Sequence, residues 1–270
     1  MTRGTRAIHR LDRRWRRPGR RVAEAWVRAY FDVSYGLLVG SEAGRRVLRH
    51  AGSVDGPVHG YFTAEDRDVL LADLDPQPGH RLLDLGSGLG GIALEIHRRT
   101  GADIIGIDLS PRAIATATRR ARRAGVGHSV TFVGGTLVRP PVVDASNAYA
   151  IDSLMFLPDL TGAIRGIGDA LEPSRRLFAT LLVVGPNGRD RLVRSLETTG
   201  VSVERLDDVT AALGVRSRAR ALTARTLLRD RATTLRGRLA MLVVVSEEAL
   251  VRVLIARGQV SRWRFVVRYL

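Results

Sequence analysis

Two acidic side chains frame a glycine loop in the first half of the chain. The run Leu82-Leu83-Asp84-Leu85-Gly86-Ser87-Gly88-Leu89-Gly90-Gly91 reads as a short apolar strand that turns into a helix. Gly86, Ser87, Gly88 and Gly90 let backbone approach a ligand closely, where larger side chains would clash. Asp108 follows Gly86 by 22 residues and ends the next apolar run. That is the place of a carboxylate accepting hydrogen bonds from both hydroxyls of a ribose. Gly86, Gly88 and Gly91 also satisfy the G-x-G-x-x-G pattern of dinucleotide sites, so the glycines alone leave two adenosine ligands in competition. Asp84 separates them. A carboxylate two residues before the first glycine repels a pyrophosphate and suits a cation bearing an amino group and a sulfonium.

The elements that must position these residues alternate. Arg81–Leu85, Asp103–Asp108, Ser129–Val133, Ala148–Ile151, Arg176–Val184 and Val201–Leu206 read as strands. Helices are expected at Ile92–Arg99, Ser110–Ala124, Asp159–Leu171 and from Gly185 to Thr199, the second opened by a Ser110 N-cap and Pro111. This order predicts an α/β fold with a doubly wound, mostly parallel sheet. Ahead of it, Thr63-Ala64-Glu65-Asp66 fits a capping box. Residues 208–257 read as helical. In Val260–Leu270, Trp263, Phe265 and Val267 alternate with Arg262, Arg264 and Arg268, which predicts an antiparallel edge strand with a solvated basic face. The chain thus divides into a basic flexible arm (1–21), a helical lid segment (22–75), a Rossmann-like core (76–207), a helical cap (208–257) and a last core strand (258–270).

These segments resemble the class I S-adenosylmethionine-dependent methyltransferases, in particular their small-molecule branch. Leu83–Gly90 is similar to the family's first motif and Gly106-Ile107-Asp108-Leu109-Ser110-Pro111 to its second. Ala148–Asp159 is similar to its fourth-strand segment, and Leu171–Phe178 to the turn before its fifth strand, with Ser174-Arg175 in place of Gly-Gly. Val58-His59-Gly60-Tyr61-Phe62 is similar to an H-x-G-Y-[FW] segment ahead of the core. The likeness covers residues 58–184. It implies a seven-stranded sheet with an antiparallel last strand and S-adenosyl-L-methionine as cofactor. Asp84 and the loop of Gly86, Ser87, Gly88 and Gly90 would hold the methionyl amino end. Asp108 would bind the ribose, Leu109 would pack on adenine, and Thr136 would face adenine where the family commonly has an acid. Ile151 and Asp152 would line the methionyl side, Tyr61 would reach over the sulfonium as part of a lid, and Phe156 stands where a His is frequent. His59, beside Tyr61, is the candidate general base for an acceptor that must lose a proton; His97 and His128 read as structural.

Composition removes rival chemistries. The chain has 270 residues, no Cys, and 43 basic side chains that are all Arg. Without Lys there is no P-loop lysine or Schiff base, and without Cys no thiolate nucleophile or thiolate metal site. The scattered His residues show no metal-binding spacing. The formal net charge is +16, half of it carried by residues 1–21. Nucleic acid is one expected partner of such charge. The total lack of Lys instead speaks for compositional drift toward Arg, and Asp152-Ser153-Leu154-Met155 lacks the [ND]-P-P-[YFW] motif of base-modifying amino methylases. The expected partner is a small, hydrophobic, natural-product-like acceptor methylated at O, N or C. The alternatives are an RNA methyltransferase, or a cyclase or non-methylating protein that keeps the cofactor pocket. No apolar run is long enough to span a bilayer and none follows the basic arm as a signal peptide would require, so a cytoplasmic protein is expected.

Overall fold

The computed structural model describes residues 18–50 and 60–270. Of the expected arm, residues 18–21 begin a helix and residues 1–17 lie outside the described residues. Three helices come first: α1 (Pro18–Val39), α2 (Glu42–His50) and α3 (Ala64–Leu74). The core then runs β1 (Arg81–Leu85), α4 (Gly91–Thr100), β2 (Asp103–Asp108), α5 (Pro111–Arg123), β3 (Val130–Gly134) and β4 (Asn147–Ile151). It continues through α6 (Leu160–Gly168), β5 (Arg176–Val184), α7 (Gly188–Glu197) and β6 (Ser202–Asp208). The long helices α8 (Thr210–Arg229) and α9 (Leu235–Ala256) precede the last strand, β7 (Val260–Arg268).

The seven strands form one sheet in the order β3-β2-β1-β4-β5-β7-β6. Strands β1 to β5 are parallel, and β4 is buried along its whole length. Burial on both faces is why these strands read as unbroken apolar runs. Successive side chains enter opposite layers: Leu83 and Leu85 pack with Ile164 and Phe265 on one face, Leu82 and Tyr149 with Ile96 and Phe178 on the other. A third core lies off the sheet, where Leu38 of α1, Leu48 of α2, Leu227 of α8 and Met241 of α9 meet. The strand order reverses between β1 and β4, and the crevice outside their carboxyl ends is where such sheets bind ligands.

The cap of α3 forms as its sequence predicts. Thr63 Oγ1 accepts from the Asp66 amide at 2.9 Å and Asp66 Oδ2 accepts from the Thr63 amide at 3.0 Å. The last strand departs from expectation. β7 is antiparallel but lies between β5 and β6, so the sheet's edges are β3 and β6. Its basic face is not solvated: Arg262 is fully buried and Arg264 is 5% exposed. Acids from three other elements cover it. Arg262 Nη1 lies 2.9 Å from Asp66 and its Nε 2.9 Å from Asp152, while Arg264 pairs with Glu65, Asp66 and Asp207. Strand alternation has the same period whether the polar face meets water or buried carboxylates. Among the described residues no helix is long and apolar enough to cross a membrane.

Candidate functional site

The glycine loop is pinned between the ends of two strands. The Gly86 and Ser87 amides donate to the Ile107 carbonyl at 2.8 and 3.0 Å, and the Gly88 amide donates to Asp108 Oδ2 at 2.8 Å. Asp108 Oδ1 accepts from the Ser110 amide at 2.8 Å, so one carboxylate fastens the loop to the start of α5. Gly86 has φ of +82°, and a Cβ there would stand 2.4 Å from the Ser153 Cβ. Ser153 cannot easily retreat, because its hydroxyl donates to the Leu85 carbonyl at 2.6 Å. Tyr35 of α1 covers the loop from the other side, its hydroxyl 2.9 Å from where a Gly88 Cβ would be.

Beneath this loop Asp84 Oδ2, Ser87 Oγ and the Tyr149 hydroxyl beside Asp84 are buried with no hydrogen-bond partner at ordinary bonding distance. Leaving such groups unmet is costly, and their oxygens can accept hydrogen bonds from donors outside the chain. Burial pushes the Asp84 carboxyl up to about 8, against the Tyr149 hydroxyl beside it and with the help of the Asp108 charge. Burial also raises Asp108, although the Ser110 and Gly88 amides oppose it.

Asp152 has a different environment. It ends β4 with a left-handed φ of +50°. Oδ1 accepts from Thr180 Oγ1 at 3.0 Å and Arg262 Nε at 2.9 Å; Oδ2 accepts from the Tyr61 amide at 2.8 Å. Asp152 is thus paired within the chain: Arg262 neutralises it, and it ties the lid segment at Tyr61 to the sheet.

A chamber of about 330 Å³ opens over these strand ends. Tyr61, Gly86, Asp108, Leu109, Ile151 and Asp152 all line it, so the fold brings together residues taken from four separate stretches of sequence. Asp84, Ser87, Gly88 and Gly90 belong to the loop and strand behind that wall. Thr136 does not line the chamber; its hydroxyl accepts from the Val138 amide at 3.4 Å, and Leu137 takes the place at the wall. His59 lies outside the described residues. Among those described, no group of His, Asp and Glu could hold a metal ion.

The sequence reading supplies a lid segment and a helical cap without the side chains of the roof. Tyr30 and Phe31 of α1, Arg220 of α8 and Glu247 of α9 complete the chamber. Phe156 packs edge-on against Phe31 at 5.0 Å. Arg220 Nε pairs with Glu248 at 3.0 Å, and its guanidinium carbon lies 5.4 Å from the centre of the Tyr61 ring. Tyr61 donates its hydroxyl hydrogen bond to Glu248 at 3.2 Å; burial and that carboxylate raise its pKa. Tyr30 donates to Glu247 Oε1 at 2.8 Å, and burial with the Glu247 charge pushes it up to about 12. One signal was available: Glu247-Glu248 interrupts an otherwise apolar helical run, and acids there need a partner or a purpose.

Residues 82–174 match the family model of a methyltransferase domain. These residues are a class I S-adenosylmethionine-dependent methyltransferase domain. Over 112 residues, 41% of its length, the chain is 37% identical to sterol 24-C-methyltransferase erg6 of Aspergillus fumigatus. It is 31% identical over 172 residues, 57% of the chain, to 27-O-demethylrifamycin SV methyltransferase of Amycolatopsis mediterranei. The matches span 30% and 63% of those proteins' lengths. In structure, the chain is similar to the [4+2]-cyclase SpnF, with a TM-score of 0.68 and 24% identity over 87% of this chain and 93% of that one. The family's cofactor carries an ammonium, a sulfonium and two ribose hydroxyls. The orphaned Asp84 and Ser87 oxygens, and the latched Asp108 at the chamber wall, have the chemistry to receive these groups.

Proposed function

We propose that the protein transfers a methyl group from S-adenosylmethionine to a small, largely apolar acceptor held in the chamber under α1, α8 and α9. The buried, unpartnered Asp84 Oδ2 and Ser87 Oγ carry this reading, because a cationic amino group is what such a pair lacks. When bound, the cofactor supplies a methyl carbon already activated as an electrophile by its sulfonium. Asp84 and Ser87 accept from the methionyl amino group, and Gly86 and Gly88 keep the loop thin enough for it to approach. Asp108 accepts from the ribose, while Leu109 and Leu137 flank the adenine. Ile151 forms the methionyl side, and Asp152 holds Tyr61 over the reacting end, where the lid excludes water. The chain's contribution is then alignment and desolvation. Glu247, a carboxylate on the α9 side of the chamber, receives the proton of an acceptor that must lose one. His59 remains the alternative base in the lid.

The named acceptors of most sequence relatives, a sterol and a rifamycin among them, support a small molecule, and an rRNA methyltransferase among those relatives makes RNA the second reading. Titration calorimetry with S-adenosylmethionine, followed by transfer of a labelled methyl group to a panel of sterol and polyketide acceptors, tests the proposal. Binding that Asp108→Ala weakens, together with label transfer, is the expected result. No binding would overturn it. Binding without transfer to any acceptor would give the chamber to another reaction, such as cyclisation.

A further inference from the structure

The chamber is small for two molecules. Its volume of about 330 Å³ is near the lower end of ordinary ligand sites, roughly 300–1,000 Å³. Gly86, Asp108, Leu109 and Ile151 form part of its wall, so a bound cofactor takes up part of that space. An acceptor of more than a few heavy atoms must continue elsewhere.

A second cavity begins where the chamber ends. It is a groove of about 620 Å³ between α1 and α9, and Tyr30 and Glu247 line both spaces. Along α9, Ala240 and Val243 face the groove and Leu250 and Val251 face the chamber, with Glu247 between them. Around α1, Ala29 and Val33 face the groove and Phe31 the chamber, with Tyr30 between them. The hydrogen-bonded Tyr30–Glu247 pair thus stands at the junction. Beyond it the groove is almost wholly apolar, with Ser34 its one further polar side chain. Small side chains at Ala29 and Ala240 leave it open. Its walls meet water without cover from the described residues: Val33 is 63% and Val243 46% exposed. Apolar surface of this shape is stabilised by an apolar occupant.

We infer that the acceptor is an elongated amphiphile whose reacting polar end enters the chamber past Tyr30 and Glu247, while its apolar body lies in the groove between α1 and α9. This rests on the methyl-transfer reading above and extends it to the acceptor's shape. The groove fixes which acceptors are used, through length and apolar area rather than through a charged contact. Glu247 and Tyr30 then meet the acceptor where its polar end joins its apolar body.

The test uses the full chain saturated with S-adenosylhomocysteine and the straight-chain alcohols hexan-1-ol, octan-1-ol and decan-1-ol, titrated by calorimetry. Wild-type affinity is expected to rise about tenfold or more from the shortest to the longest, as added methylenes are buried. Ala29→Phe and Val243→Trp fill the groove from opposite walls, at exposed positions where folding is not at stake. Each should cut that rise to about threefold or less, with hexan-1-ol and S-adenosylhomocysteine affinities changed by no more than about twofold. A full rise in both variants, or no rise in the wild type, overturns the inference. A dimer by light scattering that Val243→Trp splits without altering alcohol binding gives the groove to a second copy and overturns it too. Failure to bind S-adenosylhomocysteine would instead count against the cofactor reading, and the alcohol series in cofactor-free protein would still decide the groove.

Discussion

Asp84 and Asp152 belong to the carboxyl ends of neighbouring parallel strands, and both are under a tenth exposed. Their surroundings differ. Asp152 accepts from Arg262, Thr180 and the Tyr61 amide. Asp84 has no ion pair among the described residues, its Oδ2 has no partner, and burial pushes its carboxyl up to about 8. The fold neutralises one acid from within and gives the other only the Tyr149 hydroxyl beside it. A buried carboxylate paired with a cation serves the scaffold; one without such a partner is the candidate for the ligand proposed above.

The contrast breaks most sharply at Arg262. Arg262→Met strands Asp152 as a buried, unpaired charge and leaves Asp66 with Arg264 as its remaining cation, at a cost of about 3–5 kcal/mol. For a domain of this size that lowers Tm by roughly 10 °C in thermal melts, and the lid segment loses its tie at Tyr61. Burial alone would lower the Arg262 pKa; Asp152 and Asp66 outweigh it and hold it above its ordinary value, so the guanidinium stays charged at any working pH. An Arg262→Met protein with wild-type Tm would show that Asp152 needs no partner.

Asp84→Asn removes a charge that no cation among the described residues meets. S-adenosylmethionine binding, measured by calorimetry, should weaken by about tenfold to a hundredfold, the range for a charge-assisted hydrogen bond. Unchanged affinity would place the cofactor's amino end elsewhere.

The pH dependence follows from the same residue. Below about 8 the ligand-free Asp84 is largely protonated. Binding a cation requires the carboxylate, so wild-type affinity should increase about tenfold between pH 6 and 7.5, with release of one proton. Calorimetry in buffers of different ionisation heat reads that proton, and Asp84→Asn should abolish both effects.

The smallest effect concerns stability without ligand. The folded pKa of Asp84 lies above its unfolded value, so the folded state binds more protons between about pH 4 and 8 and loses stability as pH rises through that window. Asp84→Asn should therefore raise the Tm of the cofactor-free protein by a few degrees at pH 8, with the gain vanishing near pH 4. A gain of equal size at both pH values would point to packing rather than ionisation.

Much of the core was legible from local chemistry. The apolar run of β5 has the same bounds in sequence and structure, Arg176–Val184, and the Thr63 capping box forms as written. Gly86 announces its left-handed turn because a Cβ there would meet Ser153. The site was legible in halves. Asp84 stands two residues before the first glycine and Asp108 at the βαβ spacing of 22 residues after it. Tyr30, Arg220 and Glu247 reach the chamber from helices with no local pattern tying them to it. Thr136 was expected one residue from Leu137, the side chain that lines the wall, and the direction of a loop residue is set by tertiary contacts.

The sequence by itself determined the alternating strands and helices, the glycine loop with its two acids, and the exclusion of lysine and thiolate chemistry. These depend on neighbours in the chain, where spacing and residue type act directly. Only the tertiary structure decided where β7 lies, that its Arg262 is buried against Asp152 and Asp66, and that Asp84 has no ion pair among the described residues. Whether a charge is met, and by what, depends on groups more than a hundred residues away in sequence that folding brings within 3 Å.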